Sequence, residues 1–286
     1  MNSINRGICL CTCLVSIGFA QSTAGPAYLK QATVSQTAQT IHITANSPRP
    51  LQQTLEALYL KYGWVVDYED PQYISQMDLL EAPAFHTKVP SGGSFSVEFP
   101  AVPLDECRTT KKENTQTNKP TDTQAVPATA QDVQACSEEK TLRLIVDAYN
   151  HSKNPGQFEL RRSPQGTFDV VGTGAHDEKG AIAQQQPLFD VPVTLATEER
   201  TISATLDLIF QAIAQQNHSV VNVGISPRTI LDHTTVKVGG TKVAARELLQ
   251  QCFIVSHHNL YWQLLFNPES KGYYLNVHAT RQVPTT

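Results

Sequence analysis

Residues 41–68 read IHITANSPRPLQQTLEALYLKYGWVVDY, and this stretch decides the fold expected for the first half of the chain. Ile41 to Thr44 alternate apolar and polar side chains, which is typical of a half-buried strand. Leucines and tyrosines then recur at helical spacing from Leu51 to Tyr62, which predicts an amphipathic helix. Gly63 ends that helix, and Trp64 to Tyr68 resume a strand pattern. The stretch therefore predicts a strand-helix-strand unit.

The same order of patterns continues and then recurs in the second half, which indicates an internal duplication. After a proline-containing loop, the first half adds a strand at 95–99, a helix at 142–149 and a hairpin across 158–170. The second half shows strands at 193–195, 220–223, 234–238, 260–266 and 273–277, with helices at 202–213 and 244–256. Both halves therefore read β-α-β-β-α-β-β.

The predicted fold class is α+β, with two tandem modules that each pack two helices between small sheets. The modules span residues 39–173 and 188–280, and a linker rich in Gly, Ala and Gln joins them at 174–187. Polar composition predicts a disordered leader at 21–38 and a disordered insert at 108–135 within the first module. Residues 281–286 form a tail.

Part of this pattern resembles a known family. The helix segment Leu55-Glu56-Ala57-Leu58, the turn Tyr62-Gly63-Trp64 and the strand Val66-Asp67-Tyr68-Glu69 resemble the short N-terminal domain of secretins and TonB-dependent receptors, called STN-like. The resemblance implies two helices between two small sheets and a periplasmic docking or signalling role. The second half has Gln216-Asn217-His218 where the first has the Tyr-Gly-Trp turn. No barrel or channel sequence accompanies either copy, so a pore or transport role is not expected.

The first 20 residues predict a secretory signal peptide. Arg6 closes a short n-region, Gly7 to Gly18 are largely apolar, and Ala20 precedes the expected cleavage site. We therefore expect a periplasmic or extracellular protein. No later stretch approaches the length of about 18 apolar residues that a membrane span needs, so stable membrane insertion of the mature chain is not expected.

The cysteines outside the signal peptide fit an oxidising compartment. Cys107 and Cys136 stand on either side of the polar insert. A disulfide that closes the insert is expected from this placement, and two unpaired thiols are the alternative. Cys252 falls on the inward face of a predicted helix, where we expect a buried free thiol.

Composition and motifs favour no enzyme class. A net charge of −4 argues against nucleic-acid binding, which needs clustered Lys and Arg. His176, with Asp177 and Glu178, is a candidate metal or acid-base group, but it lies in the predicted linker. The pair Gly239-Gly240 lacks the rest of a phosphate-binding loop and is expected to be a turn. We expect no catalytic residues, no metal site and no cofactor.

Several aromatic residues leave two interpretations open. They line either a carbohydrate or peptide groove, or the core and its cross-strand pairs. They are Trp64, Tyr68, Tyr73, Tyr261, Trp262, Tyr273 and Tyr274.

The sequence thus predicts a secreted, non-enzymatic protein-protein interaction module whose exposed sheet edges dock envelope proteins of unknown identity. The alternative is a protein or enzyme that binds a cell-envelope polymer between the two modules. A deep cleft with two titratable side chains in hydrogen-bonding reach would favour the alternative.

Overall fold

The computed structural model describes residues 31–82, 87–101, 130–164 and 166–280, without the side chains of 130–136. Alternating and helical patterns produce strands and helices largely where they are expected. In the first half, residues 31–184, the elements are β1 Thr33–Gln36, β2 Thr40–Ala45, α1 Pro50–Tyr62, β3 Val66–Glu69, β4 Leu79–Ala82, β5 Thr87–Pro90, β6 Phe95–Pro100, α2 Ala130–Asn150, β7 Gln157–Arg162, β8 Phe168–His176 and β9 Ile182–Gln184.

The second half, residues 188–280, begins with a short 3-10 turn at Leu188–Asp190. Its elements are β10 Pro192–Thr201, α3 Ile202–Asn217, β11 Val221–Val223, α4 Arg228–His233, β12 Thr235–Ala244, α5 Ala245–Val255, β13 Leu260–Asn267 and β14 Gly272–Ala279. The protein is therefore an α+β protein, as the sequence predicts.

Strand pairing follows the same scheme in both halves. In the first half, β2 is antiparallel to β6, β3 is parallel to β8, and β7 is antiparallel to β8. In the second half, β10 is antiparallel to β12, β11 is parallel to β14, and β13 is antiparallel to β14. The β4–β5 hairpin occurs only in the first half, and α4 occupies the equivalent position in the second.

The first helix of each half carries a similar local sequence. Residues 54–59 read TLEALY and residues 205–210 read TLDLIF. Both threonines are buried, and each hydroxyl donates to the carbonyl four residues earlier: Thr54 to Pro50 at 2.8 Å, and Thr205 to Thr201 at 2.9 Å. α1 ends where Gly63 adopts the left-handed conformation with φ 73°.

The two halves share one seven-stranded sheet. Its strand order is β11-β14-β13-β3-β8-β7, with β9 paired to β8. β3 of the first half lies parallel to β13 of the second, with Tyr68 opposite Gln263 and Glu69 opposite Leu264. The expectation that each module keeps its own small sheets is therefore corrected at this junction.

The helices of the two halves lie on opposite faces of the shared sheet. Along β13, Leu264 and Phe266 belong to the core of the second half, whereas Leu265 packs against the core of the first. Along β3, Tyr68 belongs to the core of the first half, and Glu69 contacts Arg246 of α5. Successive side chains of a strand point to opposite faces, so each half covers part of its neighbour's sheet.

Three predicted segment boundaries need correction or remain open. The linker expected at 174–187 contains the end of β8 and all of β9, which bond to each other. The leader expected at 21–38 contains β1, which pairs with β2, and residues 21–30 lie outside the described residues. Most of the insert at 108–135 also lies outside them, although α2 begins inside it at Ala130. The signal peptide and residues 281–286 lie outside the described residues as well.

Over the part of the chain that the structure describes, no helix combines the length and apolarity needed to cross a bilayer.

Candidate functional site

Buried and partly buried charged residues join the two halves on one face of the shared sheet. Arg246 of α5 forms an ion pair with Glu69 of β3 and bonds to Asp190 at 3.1 Å. Arg161 of β7 also bonds to Asp190, at 2.6 Å. We call the following set the junction cluster: Asp67, Glu69, Asp169, Asp190, Arg161, Arg246 and Gln250.

Two acids of the junction cluster, Asp67 and Asp169, interact with each other. Asp67 accepts a hydrogen bond from the Trp262 backbone N–H at 2.9 Å, and Gln250 donates to both carboxyl oxygens of Asp169 at 3.0 Å. Burial, with the charge of Asp169, raises the pKa of Asp67 well above its ordinary value. Burial also raises the pKa of Asp169.

Glu69 is balanced more directly by a cation. Burial raises its pKa, and the adjacent Arg246 guanidinium opposes that rise. Asp70, one residue past β3, bonds to Arg49 at 2.6 Å and to the Phe266 backbone N–H at 2.9 Å. Arg49 in turn donates to the Phe266 carbonyl at 2.6 Å. Glu69 therefore ties β3 to α5, and Asp70 ties the end of β3 to β13.

An open groove lies where the ends of β3 and β13 meet the inserted hairpin. Its volume is about 950 Å³, near the upper limit of typical ligand pockets. The β4–β5 hairpin forms one side, the β13–β14 turn forms another, and Glu178 of the β8–β9 turn lies at the rim. Its lining residues are Gln72, Tyr73, Ile74, Gln76, Leu79, Glu81, Ala82, Thr87, Lys88, Glu178, Phe266, Pro268, Glu269 and Lys271.

The charged side chains of the groove do not converge. Lys88 donates to Gln76 at 2.8 Å. Among the described residues, no hydrogen bond or ion pair joins any two of the groove's acidic and basic side chains, which are Glu81, Lys88, Glu178, Glu269 and Lys271. Tyr73 is buried, and burial raises its pKa well above the ordinary value. The groove therefore offers dispersed charges around a partly apolar surface.

His176 lies on a strand and not in a flexible linker, which corrects its predicted setting. Its Nδ1 lies 2.6 Å from the Asp78 carboxylate, and its backbone N–H donates to the same carboxylate at 2.9 Å. The neighbouring acids of the motif, Asp177 and Glu178, lie in the following turn, where Asp177 accepts the N–H of Lys179 at 2.8 Å. The partner of His176 was missed because Asp78 is 98 residues away in sequence.

Most of the singled-out aromatic residues form the core. Tyr68, Tyr73, Tyr261, Trp262 and Tyr273 are buried, whereas Tyr274 is 39% exposed. Trp64 is half-buried, and its ring lies 5.6 Å from the Tyr62 ring at a tilt of 39°. The core interpretation is therefore confirmed for the buried five, of which Tyr73 also lines the groove.

The glycine pair at 239–240 lies inside β12, so the expected turn is wrong. Neither glycine has a positive φ. A side chain at Gly239 would place its Cβ 2.6 Å from the Thr197 backbone of β10. Close approach of two strands, where the pairing register shifts, explains the glycine there.

The cysteine predictions have different outcomes. Cys252 is buried and free, as expected, and burial raises the pKa of its thiol to about 12. Cys107 and the side chain of Cys136 lie outside the described residues, so their disulfide stays a prediction.

No group of three or more His, Cys, Asp or Glu side chains that could hold a metal ion occurs among the residues that the structure describes. The junction cluster was missed because Asp67 and Glu69 resemble ordinary outward-facing residues of a strand. Their alternation with Val66 and Tyr68 indicates that they lie on the opposite face of β3. It does not show that the second half covers that face.

No family model matches the chain, and no curated protein and no solved structure matches it either. The resemblance to the STN-like domain therefore remains a prediction.

Proposed function

We propose that this protein is a secreted, non-enzymatic interaction module that docks an extended segment of a periplasmic or extracellular envelope protein in the groove between its halves. The segment pairs with the outer edge of the β4–β5 hairpin. Main-chain hydrogen bonds supply affinity in this mode of binding, and alternate side chains supply selectivity.

The observation that carries the proposal is the hairpin itself. β4 and β5 pair only with each other among the described residues, so each has an edge without a neighbouring strand. The hairpin interrupts a pairing scheme that the two halves otherwise share, and it builds one side of the groove. An insertion that adds a free edge beside an open groove favours a docking role, because unpaired strand edges readily accept another strand.

The electrostatics of the groove also support binding over catalysis. General acid-base chemistry needs a titratable group within hydrogen-bond reach of its partner. Three acids with raised pKa values, Asp67, Glu69 and Asp169, belong to the junction cluster, where they contact Arg246, Gln250 or backbone N–H groups. Burial also raises the pKa of Glu138 of α2 to about 7, but Glu138 does not line the groove.

Site-specific photo-crosslinking tests the proposal. A photoreactive residue at Glu81, on the hairpin, should give one dominant protein adduct in envelope extract. The same residue at Glu198, which is exposed on β10 and remote from the groove, should not. Adding Lys88→Glu to the Glu81 probe should reduce the adduct, since it reverses a charge on the facing strand. Equal adducts at both positions would contradict docking at the groove.

The position of the groove between the halves also favours the second candidate, a protein or enzyme that binds a cell-envelope polymer. Co-sedimentation with purified peptidoglycan distinguishes the two. Co-sedimentation that Glu81→Lys abolishes, without a protein adduct at position 81, would replace the first proposal with the second.

A further inference from the structure

The junction inside the chain is a parallel pairing between two different kinds of edge strand. The matched pairing schemes make β3 the equivalent of β11, β8 the equivalent of β14, and β7 the equivalent of β13. The junction therefore joins the β3-type edge of one half to the β7-type edge of the other.

The outer ends of the seven-stranded sheet present the same two kinds of edge. β11 lies at one end and β7 at the other, and neither has a further neighbour among the described residues. Following the strand directions across the sheet, β7 and β11 run the same way. A second copy shifted sideways by six strands, about 29 Å at roughly 4.8 Å per strand, would bring its β7 parallel to β11 of the first.

Backbone groups face outward on both edges. On β11, the N–H of Gly224 and the carbonyl of Val220 bond to β14, so the N–H and carbonyl of Val223 point away from the sheet. On β7, the backbone N–H and carbonyl of Phe158 point away from β8. Those of Leu160, two residues further along the strand, point the same way. Leu160 is the equivalent of Leu264, whose carbonyl accepts the Asp70 N–H at the internal junction at 2.9 Å.

Side chains near these edges match those of the internal junction in part. Arg143 precedes the buried pair Ile145-Val146 by two residues, as Arg246 precedes Leu248-Leu249. Arg143 is exposed and pairs with Glu139 one helical turn away. Exposed apolar residues flank β11, namely Val220 at 57%, Ile225 at 69% and Tyr274 at 39%.

One asparagine protects the β7 edge in the single chain. The Asn150 side chain accepts the outward N–H of Phe158 at 2.9 Å and donates to its carbonyl at 2.8 Å. Ile225, just past β11, bonds only toward β14, where Asn276 accepts its N–H at 2.9 Å and the Val277 N–H donates to its carbonyl at 2.8 Å. Natural edge strands are commonly shielded against uncontrolled pairing, and here the shield covers Phe158 and leaves Leu160 and Val223 open.

We propose that a second copy of this chain docks head to tail, with its β7 paired in parallel to β11, so that the internal junction is repeated between molecules. Such an interface is heterologous and propagates into open chains of molecules. Asn150 limits the association, because its side chain must leave Phe158 before the full edge can pair.

Sedimentation velocity on the mature chain over a dilution series tests the proposal. Wild type should show concentration-dependent association, and Asn150→Ala should strengthen it about tenfold, the factor that about 1.4 kcal/mol represents. Leu160→Pro and Val223→Pro each remove one outward N–H, so each variant alone should stay monomeric. A mixture of the two should form a one-to-one dimer, because each supplies the edge that the other lacks.

The outcomes are distinct from those of groove docking, since Glu81→Lys should leave self-association unchanged. Monomeric wild type and monomeric Asn150→Ala at every concentration would overturn the proposal. So would association that both proline variants retain, or a mixture of folded proline variants that stays monomeric. If circular dichroism shows that a proline variant is unfolded, the comparison of Asn150→Ala with wild type decides.

Discussion

Replacing Arg246 with methionine removes the cation that faces the buried Glu69. The folded variant must then keep an uncompensated charge, which costs about 3–5 kcal/mol, or hold Glu69 protonated. The ordinary pKa of this carboxyl group is 4.5. Protonating it at pH 7 costs about 3.4 kcal/mol, because each pKa unit corresponds to about 1.36 kcal/mol. We therefore expect Arg246→Met to lose up to about 3 kcal/mol of unfolding free energy at pH 7, and less by whatever the raised pKa of Glu69 already costs the wild type.

The pH dependence follows from the same linkage. Below pH 4.5 the unfolded chain also carries the proton, so holding it in the folded state costs nothing. As the pH rises above 4.5, the unfolded chain releases a proton that the folded variant retains, and the variant loses up to about 1.4 kcal/mol per pH unit. The deficit relative to wild type should therefore be smaller at pH 5 than at pH 7.

Urea unfolding of wild type, Arg246→Met and Arg246→Met/Glu69→Gln at both pH values measures these differences. The double variant should recover much of the loss, since it removes the buried Glu69 charge, while Asp169, which Arg246 also faces, keeps its bonds to Gln250. Arg161→Met is the matched control, because Arg161 is 30% exposed and a partly exposed ion pair contributes less than about 1 kcal/mol. A loss below about 0.5 kcal/mol for Arg246→Met, or an equal loss at pH 5 and pH 7, would refute the reasoning.

Three further predictions concern other positions. Asp67→Asn replaces a carboxyl group whose pKa is raised in the folded state. Wild type should lose stability as the pH rises from 5 to 8, because the unfolded chain releases this proton at a lower pH than the folded protein does. Urea unfolding should show a flatter pH dependence of stability for the variant. Gly172→Ala should cost about 2–3 kcal/mol of unfolding free energy, because a Cβ would overlap the backbone that follows β3. Gly93→Ala, with its nearest atom at 3.6 Å, should stay within about 0.5 kcal/mol of wild type. Mass spectrometry of the mature chain, alkylated without reductant, should find Cys107 and Cys136 unmodified; alkylation of both would exclude their disulfide.

Local patterns predict the elements of this fold well, because they depend on which side chains face a core. The helix expected from Leu51 to Tyr62 is α1, Pro50–Tyr62, and the helix expected at 244–256 is α5, Ala245–Val255. The buried thiol of Cys252 follows from the same helical spacing. Periodicity assigns a residue to a face, and that assignment holds here.

The joining of the sheets was not predictable from periodicity. Alternation correctly places Asp67 and Glu69 on the face away from the core of their own half. It does not show that α5, about 180 residues later, covers that face and supplies Arg246. The β4–β5 hairpin was also missed, because the loop between Pro71 and Pro90 has no regular alternation. The groove depends on both features, so the sequence suggests a site between the halves without giving its lining.

β3 and β13 pair in the middle of one sheet. If either half unfolds alone, the other half therefore loses a hydrogen-bonded neighbouring strand. Losing the second half would also uncover Asp67 and Glu69, and losing the first would expose Leu265. The chain should consequently show a single calorimetric transition with equal van't Hoff and calorimetric enthalpies. An excised half should aggregate or remain unfolded, although its element order looks complete.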